Sequence, residues 1–154
     1  MEIKLYGMEQ QSRSLNVRIL GVEESGKENP EKVVVELVEK KMGVCLSPVD
    51  FDRCHRVGPS TKPQQSGPRP ILVRFANHRS RALVMGARAR LQGSAIFINE
   101  DLTQPRQNLL YKLRHCKKAD RSWSLDGKIF AGIKNDSGGY TKKLIQSEAD
   151  VAKL

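Results

Sequence analysis

The order of hydrophobic periodicities between residues 14 and 100 constrains the fold of this chain more than any other feature. One helical segment follows the first strand-like segment and another follows the third, which gives the order strand, helix, strand, strand, helix, strand. This order predicts an α+β fold with a ferredoxin-like four-stranded antiparallel sheet, both helices on one face and the other face open. The strand-like segments, in which apolar residues alternate, are residues 14–22, 49–57, 70–75 and 94–98.

The ends of the two helical segments carry recognisable signals. In the first, Asn29 is suited to the N-cap, Pro30 to the first helical position and Gly43 to the end. The second is predicted to begin after a cap at Asn77 and to continue to about Leu91. Periodicity assigns to the core Val34, Leu37, Val38 and Met42 in the first helix, and Ala82, Met85 and Ala89 in the second.

The chain is predicted to divide into three parts. Residues 1–13 are polar, lack a core pattern and are expected to form an N-terminal stub. Residues 14–100 form the ferredoxin-like domain. Residues 101–154 are predicted to form a smaller α/β C-terminal domain that packs its own apolar residues.

The C-terminal domain is predicted from one helix and three short strands. Asp126-Gly127 is a strong hairpin signal between the first two strands. We expect Trp123 in the core of this domain, with Tyr111 or Tyr140 as alternatives for base stacking. The expected elements are a helix at residues 102–118, strands at 122–125, 128–133 and 140–145, and a terminal helix from 147.

No Asp or Glu occurs from Arg53 to Asn99, a stretch of 47 residues. This acid-free stretch carries nine basic side chains, which supply +9 of the formal net charge of +10. Eight of the nine are arginine, whose planar guanidinium pairs with phosphate and stacks on bases. The pattern favours a polyanionic partner, most commonly nucleic acid, over the alternative of a solvated basic surface.

The sequence contains no constellation that is typical of an enzyme. Cys54 and His55 are neighbours on a predicted strand, so their side chains point to opposite faces and cannot form a nucleophile–base pair. His78 and His115 are isolated, and no carboxylate cluster or metal-ligand spacing accompanies them. We therefore expect no catalytic activity, no cofactor and no metal.

Cysteine usage and hydropathy indicate a compartment. The three cysteines have no CxxC spacing, which is typical of reduced thiols in an intracellular protein. No apolar run approaches the ~20 residues of a membrane span. We expect a protein of the cytoplasm, with the nucleus as an alternative, that does not bind a membrane.

The third strand can be aligned with the RNA-recognition signature K/R-G-F/Y-G/A-F-V-x-F/Y. Pro70 and Leu72 then occupy the two base-stacking positions of that strand, and Arg18 occupies the corresponding position of the first strand. Because the usual aromatic platform is absent, RNA binding on the open face is expected to use Arg18, Arg74 and Arg56, with guanidinium planes in place of rings. The alternative is a ferredoxin-like fold with an idle sheet.

Several blocks that occur in order resemble a known family. They are MEQQSRSLNVRILGVEE, FDRCHRVG, GPRPILVRF, INEDLT and DGKIFAGIKN. Together they resemble the first-open-reading-frame proteins of LINE-type non-LTR retrotransposons. They resemble equally the baculovirus FP (few-polyhedra) protein family, which shares the same module. The resemblance covers about residues 8–154.

The resemblance implies an atypical RNA-recognition domain followed by a small α/β domain. It also implies binding of single-stranded RNA and DNA, nucleic-acid chaperone activity and assembly into ribonucleoprotein particles. Retrotransposon members trimerise through a long N-terminal coiled coil. Residues 1–13 would be a remnant of that coil, so we expect a monomer, and a trimer only with a longer coil.

The two branches of the resemblance differ in what they imply. Many retrotransposon members carry an Arg pair at the start of the C-terminal helix. This chain has Leu109, Leu110, Tyr111 and Lys112 there, so the contact is expected at Lys112 or Arg114. The FP-type branch fits this departure better and implies a viral structural or trafficking module that binds an acidic protein partner.

These patterns together predict sequence-tolerant binding of single-stranded RNA, and of single-stranded DNA as an alternative. The predicted contact residues are Arg18, Arg53, Arg56, Lys62, Arg69, Arg74, Lys112, Arg114 and Lys117.

Overall fold

A computed structural model of the chain describes residues 2–59 and 67–154. The chain divides into two compact units, one formed by Leu15–Asp101 and the other by Met1–Ser14 together with Leu102–Leu154. Each unit contains an antiparallel sheet and α-helices, which confirms the α+β class.

The helices and strands are numbered in chain order. The α-helices are α1 (Glu2–Gln11), α2 (Pro30–Leu37), α3 (His78–Gly86), α4 (Gln104–His115) and α5 (Glu148–Ala152). The strands are β1 (Asn16–Leu20), β2 (Phe51–Arg56), β3 (Ile71–Phe75), β4 (Phe97–Glu100), β5 (Arg121–Leu125), β6 (Lys128–Lys134) and β7 (Tyr140–Ile145).

The first sheet belongs to the unit Leu15–Asp101 and has the strand order β2-β3-β1-β4, with every neighbouring pair antiparallel. Val17 and Ile19 of β1 are fully buried, and so are Ile71, Val73 and Phe75 of β3. The alternation of apolar residues in these two segments predicts this pattern. Side chains from α2 and α3 share one core cluster with these strands, so both helices cover the same face of the sheet.

Helix α2 follows its sequence signals closely. The Asn29 side chain accepts hydrogen bonds from the backbone N–H groups of the first turn, and Pro30 follows it. After Leu37 the chain continues as one π-helical turn, Val38–Met42, which ends at Gly43 with φ 68°. Val34, Val38 and Met42 are fully buried, which confirms three predicted core positions, and Leu37 packs beside them half-buried.

Helix α3 is shorter than predicted and faces the core differently. It ends at Gly86, and the segment Arg88–Leu91 forms a 3₁₀ turn. Ser80 and Val84 are buried, whereas the predicted Ala82 and Ala89 are exposed. The Ser80 hydroxyl donates a hydrogen bond to a carboxylate oxygen of Asp50 (2.7 Å), so this buried polar residue has a hydrogen-bond partner. Apolar periodicity does not detect this hydrogen bond, so the prediction of Ala82 and Ala89 as core residues was wrong. Met85 packs against the core half-buried, as predicted.

Strand β2 contains a β-bulge. Phe51 pairs with Phe75 in register, and the next paired residue is Arg53, opposite Arg74. The extra residue, Asp52, interrupts the alternation that the sequence predicts for this strand. From the bulge onward, Arg53 and His55 lie on the face away from the helices and Cys54 packs on the core side.

The unit that contains the second sheet has the strand order β5-β6-β7. Its core is formed by one side of α4 and one face of the sheet. Asp126 and Gly127 both have positive φ (51° and 77°), as a tight two-residue hairpin requires, which confirms the predicted turn. The buried core residues are Leu102, Leu109, Leu110, Leu113, Ile129, Ala131 and Ile145.

In the part of the chain that the structure describes, no helix combines the length and the apolar character needed to cross a membrane.

Candidate nucleic-acid interface

The face of the first sheet that points away from α2 and α3, which we call the outer face, carries the central group of predicted contact residues. Alternation along the strands assigns residues to it, because their immediate neighbours are the core residues. Its members are Arg18 and Leu20 on β1, Arg53 and His55 on β2, Leu72 and Arg74 on β3, and Phe97 and Asn99 on β4.

Arg53 and Arg74 lie directly opposite each other on β2 and β3. Both are accessible: Arg53 is exposed, and the side chain of Arg74 retains 43% of its exposure. The bulge residue Asp52 places one carboxylate oxygen 3.2 Å from Nε of Arg74, and its own side chain is 60% exposed. Directly opposed like charges destabilise a strand pair, so this position favours a bound anion.

Arg18 lies diagonally beside Arg74, on the strand next to β3. Its Nε donates a hydrogen bond to buried Asp101 (2.8 Å), and Asn16 donates a second one to the other oxygen of the same carboxylate (2.9 Å). The Arg18 side chain remains 29% exposed. Asp101 therefore holds the guanidinium in place while part of it stays accessible.

Phe97 is a residue of the outer face that sequence reasoning missed. It is 61% exposed and pairs with Leu20 across β1 and β4. The alignment with the RNA-recognition signature concerned the first and third strands only, so an aromatic ring on the fourth strand was not considered. The predicted strand, residues 94–98, also began three residues and ended two residues before β4, which obscured the alternation of Phe97 with buried Ile98.

Arg56 does not lie on the outer face as predicted. Because of the bulge it points to the helix side of the sheet, where its side chain is only 4% exposed. Its Nε donates to Glu28 (2.6 Å), and its terminal nitrogens donate to three backbone carbonyl oxygens, among them that of Val22 (2.9 Å). All of its main donors are occupied, so Arg56 holds the loop after β1 against β2.

Arg69 is also engaged within its own unit. It forms an ion pair with Glu24 and donates a hydrogen bond to the carbonyl oxygen of Gly58 (2.8 Å). The hydrogen bond from Arg69 lowers the pKa of Glu24 below its ordinary value, and the ion pair raises the pKa of Arg69. Arg69 precedes β3, Gly58 follows β2, and Glu24 lies in the loop after β1. The Arg69 side chain therefore links these three segments. Lys62 lies outside the described residues.

Three further arginines of the acid-free stretch also bind carboxylate or carbonyl oxygens of their own unit. Arg81 lies 3.2 Å from buried Glu100, Arg88 donates to the carbonyl oxygen of Ile98, and Arg90 donates to that of Met42 (2.7 Å). Among the described residues of the stretch, Arg53 and Arg79 make no ion pair or hydrogen bond through their side chains. The acids that pair with the stretch flank it in sequence, so its folded surface carries less unpaired charge than the sequence indicates.

The three predicted contact residues of α4 and its C-terminal end belong to the other unit. Lys112 forms an ion pair with Glu148 on α5. Arg114 and Lys117 are exposed and, within the described part of the chain, have no hydrogen bond or ion pair. The exposed Tyr111 ring contacts the imidazole of His115, with ring centroids 4.1 Å apart.

Among the described residues, neither Cys54 nor the carboxylates are arranged as a nucleophilic or metal-binding site. Burial raises the pKa of Cys54 to about 12, so its thiol is a poor nucleophile at neutral pH. No group of three His, Cys, Asp or Glu side chains suited to a metal ion occurs among residues 2–59 and 67–154. Comparison of the chain with protein-family models and with curated proteins found no match.

Proposed function

We propose that this protein binds single-stranded RNA or DNA with little sequence preference through the outer face of its first sheet. The observation that carries the proposal is the pair Arg53 and Arg74, opposed across β2 and β3 and both accessible. A phosphate between two guanidinium groups would relieve their repulsion and accept hydrogen bonds from both. The exposed ring of Phe97 offers a flat surface on which a base can stack, and the apolar side chains of Leu20 and Leu72 belong to the same face.

The topology supports the same proposal. The strand order β2-β3-β1-β4, with both helices packed on one face, is consistent with the ferredoxin-like, RNA-recognition-type domain that we propose. Such domains bind single strands on the sheet face away from the helices. Arg18 and Arg74 lie on the two central strands of that face, where a bound strand would cross.

Substitution of Arg74 by lysine tests the proposal, because it retains the charge and removes the planar fork. We expect Arg74→Lys to weaken binding of a 15-nucleotide oligouridylate by about 1 kcal/mol, measured by fluorescence anisotropy at fixed salt. Arg79→Lys is the matched control, since Arg79 is an exposed arginine of α3 on the opposite side of the sheet. Equal affinities for the two variants would contradict the proposal.

The substitution Asp52→Asn is expected to change the affinity in the opposite direction from Arg74→Lys. The carboxylate of Asp52 competes with phosphate for Arg74, and exposed ion pairs are weak enough for a ligand to replace. We expect this variant to bind the oligonucleotide more tightly by about 0.5 kcal/mol. Weaker binding would mean that Asp52 positions Arg74 rather than competing for it.

A further inference from the structure

The second sheet also has a face that is turned away from its core, which we call the aromatic face. Ile129, Ala131 and Ile145 point to α4 and α5 and are buried. The register of the three strands places the alternate residues on the other face. Those that carry the argument are Arg121, Trp123, Phe130, Gly132, Tyr140 and Lys142. Trp123 therefore lies opposite the core in which the sequence pattern had placed it.

The aromatic rings of this face pack against one another and against its basic side chains. Trp123 and Phe130 are direct cross-strand partners, and their ring planes differ by 23° with centroids 5.9 Å apart. Nζ of Lys142 lies 4.2 Å from the centroid of Phe130, and the guanidinium carbon of Arg121 lies 4.3 Å from that of Tyr140. Each ring is therefore in contact with another ring or with a cation.

Gly132 makes this arrangement possible. It lies on the central strand directly opposite Arg121. A Cβ atom at this position would lie 3.1 Å from Cζ3 of Trp123 and 3.3 Å from Cβ of Arg121, closer than ordinary contacts. The absence of a side chain on Gly132 lets the indole and the arginine stem lie across the middle of the sheet.

The charge of the aromatic face has one sign. Strands β5, β6 and β7 contain no Asp or Glu, and they place Arg121, Lys128, Lys134 and Lys142 on this face. Tyr140 is 40% exposed, so at least one ring is accessible without rearrangement. The face combines aromatic rings with basic side chains and has no acids on its strands. Single-stranded nucleic acid is complementary to such a face, because it carries negative phosphates and unpaired flat bases. A duplex would not suit the face, because its bases are already stacked internally.

We propose that the aromatic face is a second binding site for single-stranded nucleic acid, distinct from the outer face of the first sheet and from helix α4. Bases stack on Trp123, Phe130 and Tyr140, and phosphates pair with Arg121 and Lys142. The ligand class is the same as that proposed for the outer face. The residues are different, and they belong to the unit that contains β5, β6 and β7.

The single tryptophan of the chain reports on this site directly. Titration of the unaltered protein with unlabelled 15-nucleotide oligouridylate is expected to quench Trp123 fluorescence, because a base stacks on the indole. Trp123→Ala is expected to weaken binding about tenfold, whereas Trp123→Phe retains most of it. Tyr111→Ala is the control, since Tyr111 is an exposed ring of the same unit on α4.

The outcomes separate this inference from the proposed function. Quenching that persists in Arg74→Lys supports the aromatic face even if that variant binds as tightly as wild type. Oligonucleotide binding with unchanged fluorescence overturns the aromatic face and leaves the proposed function standing. Equal affinities of Trp123→Ala and Tyr111→Ala also overturn it, and absence of any binding overturns both proposals. The fluorescence titration uses the unaltered protein and does not depend on whether a variant folds.

Discussion

Arg53 and Arg56 are three positions apart on one strand, yet they have different roles. The bulge at Asp52 sends Arg53 to the outer face, and Arg56 lies buried against Glu28 on the helix side. Both residues are arginines of the acid-free stretch, and the sequence alone assigned both to RNA contact. Burial of the donors, rather than the presence of a positive charge, decides which of them can meet a ligand.

The first prediction concerns the buried ion pair. Removal of one partner from a buried pair leaves the other charge uncompensated, so we expect Arg56→Met to lower the free energy of unfolding by about 3 kcal/mol. Arg53→Met is the control, because Arg53 is exposed and makes no ion pair within the described residues. It should change stability by less than about 0.5 kcal/mol. Urea denaturation followed by circular dichroism gives both values.

The pH dependence of the same pair provides an independent check. The hydrogen bonds from Arg56 lower the pKa of Glu28 below its ordinary value of 4.5. A carboxyl group with a lowered pKa stabilises the folded state above its ordinary pKa, and this contribution is lost as the pH falls through the folded-state value. Wild-type protein should therefore lose more stability below about pH 4.5 than Arg56→Met does. Equal acid sensitivity of the two proteins would contradict the assignment.

At the scale of elements, the end of α2 shows how the helices are fixed to each other. Gly43 adopts φ 68° and ends the π-helical turn, and Arg90 donates a hydrogen bond to the carbonyl oxygen of Met42. Arg90, from the 3₁₀ turn after α3, thus supplies a hydrogen-bond donor to a carbonyl oxygen at the C-terminal end of the segment that begins with α2. This contact joins the ends of the two helical segments that pack on the same face of the sheet.

We expect Gly43→Ala to destabilise the protein by about 1 kcal/mol, because an alanine in the left-handed region is strained. The new Cβ would also lie 2.7 Å from Nη1 of Arg90. Gly86→Ala is the matched control, since Gly86 lies in α3 and has no atom within 4 Å of the position of a Cβ. That substitution should stabilise the protein by about 0.5 kcal/mol. Chemical denaturation of the two variants should give shifts of opposite sign.

Local patterns predicted the elements of both sheets well, and non-local contacts explain where they failed. Alternation identified Val17 and Ile19 as core residues, and the Asp126-Gly127 turn was correct, because these features depend on adjacent residues. The partners of the arginines could not be predicted in this way. Arg56 and Glu28 are 28 positions apart, and only the fold brings them together.

At the scale of the whole molecule, the net charge of +10 is distributed differently from what the acid-free stretch suggests. Acids on the flanks of the stretch fold back onto its arginines, so the outer face retains a small set of accessible cations, chiefly Arg18, Arg53 and Arg74. The second sheet adds a separate basic surface in which aromatic rings are interleaved. Each of the two sheet faces thus carries a small, defined set of accessible cations, and the binding proposals rest on these residues.

The salt dependence of oligonucleotide affinity tests the central claim most directly. Each phosphate contact with a single strand contributes about −0.7 to the slope of log affinity against log salt, so three contacts on the outer face predict a slope of about −2 or steeper. Replacement of both Arg53 and Arg74 by glutamine should make the slope shallower by about 1.4, because two contacts are lost. The same slope in wild type and in the double variant, or a slope near zero in the wild type, would contradict binding of nucleic acid at the outer face.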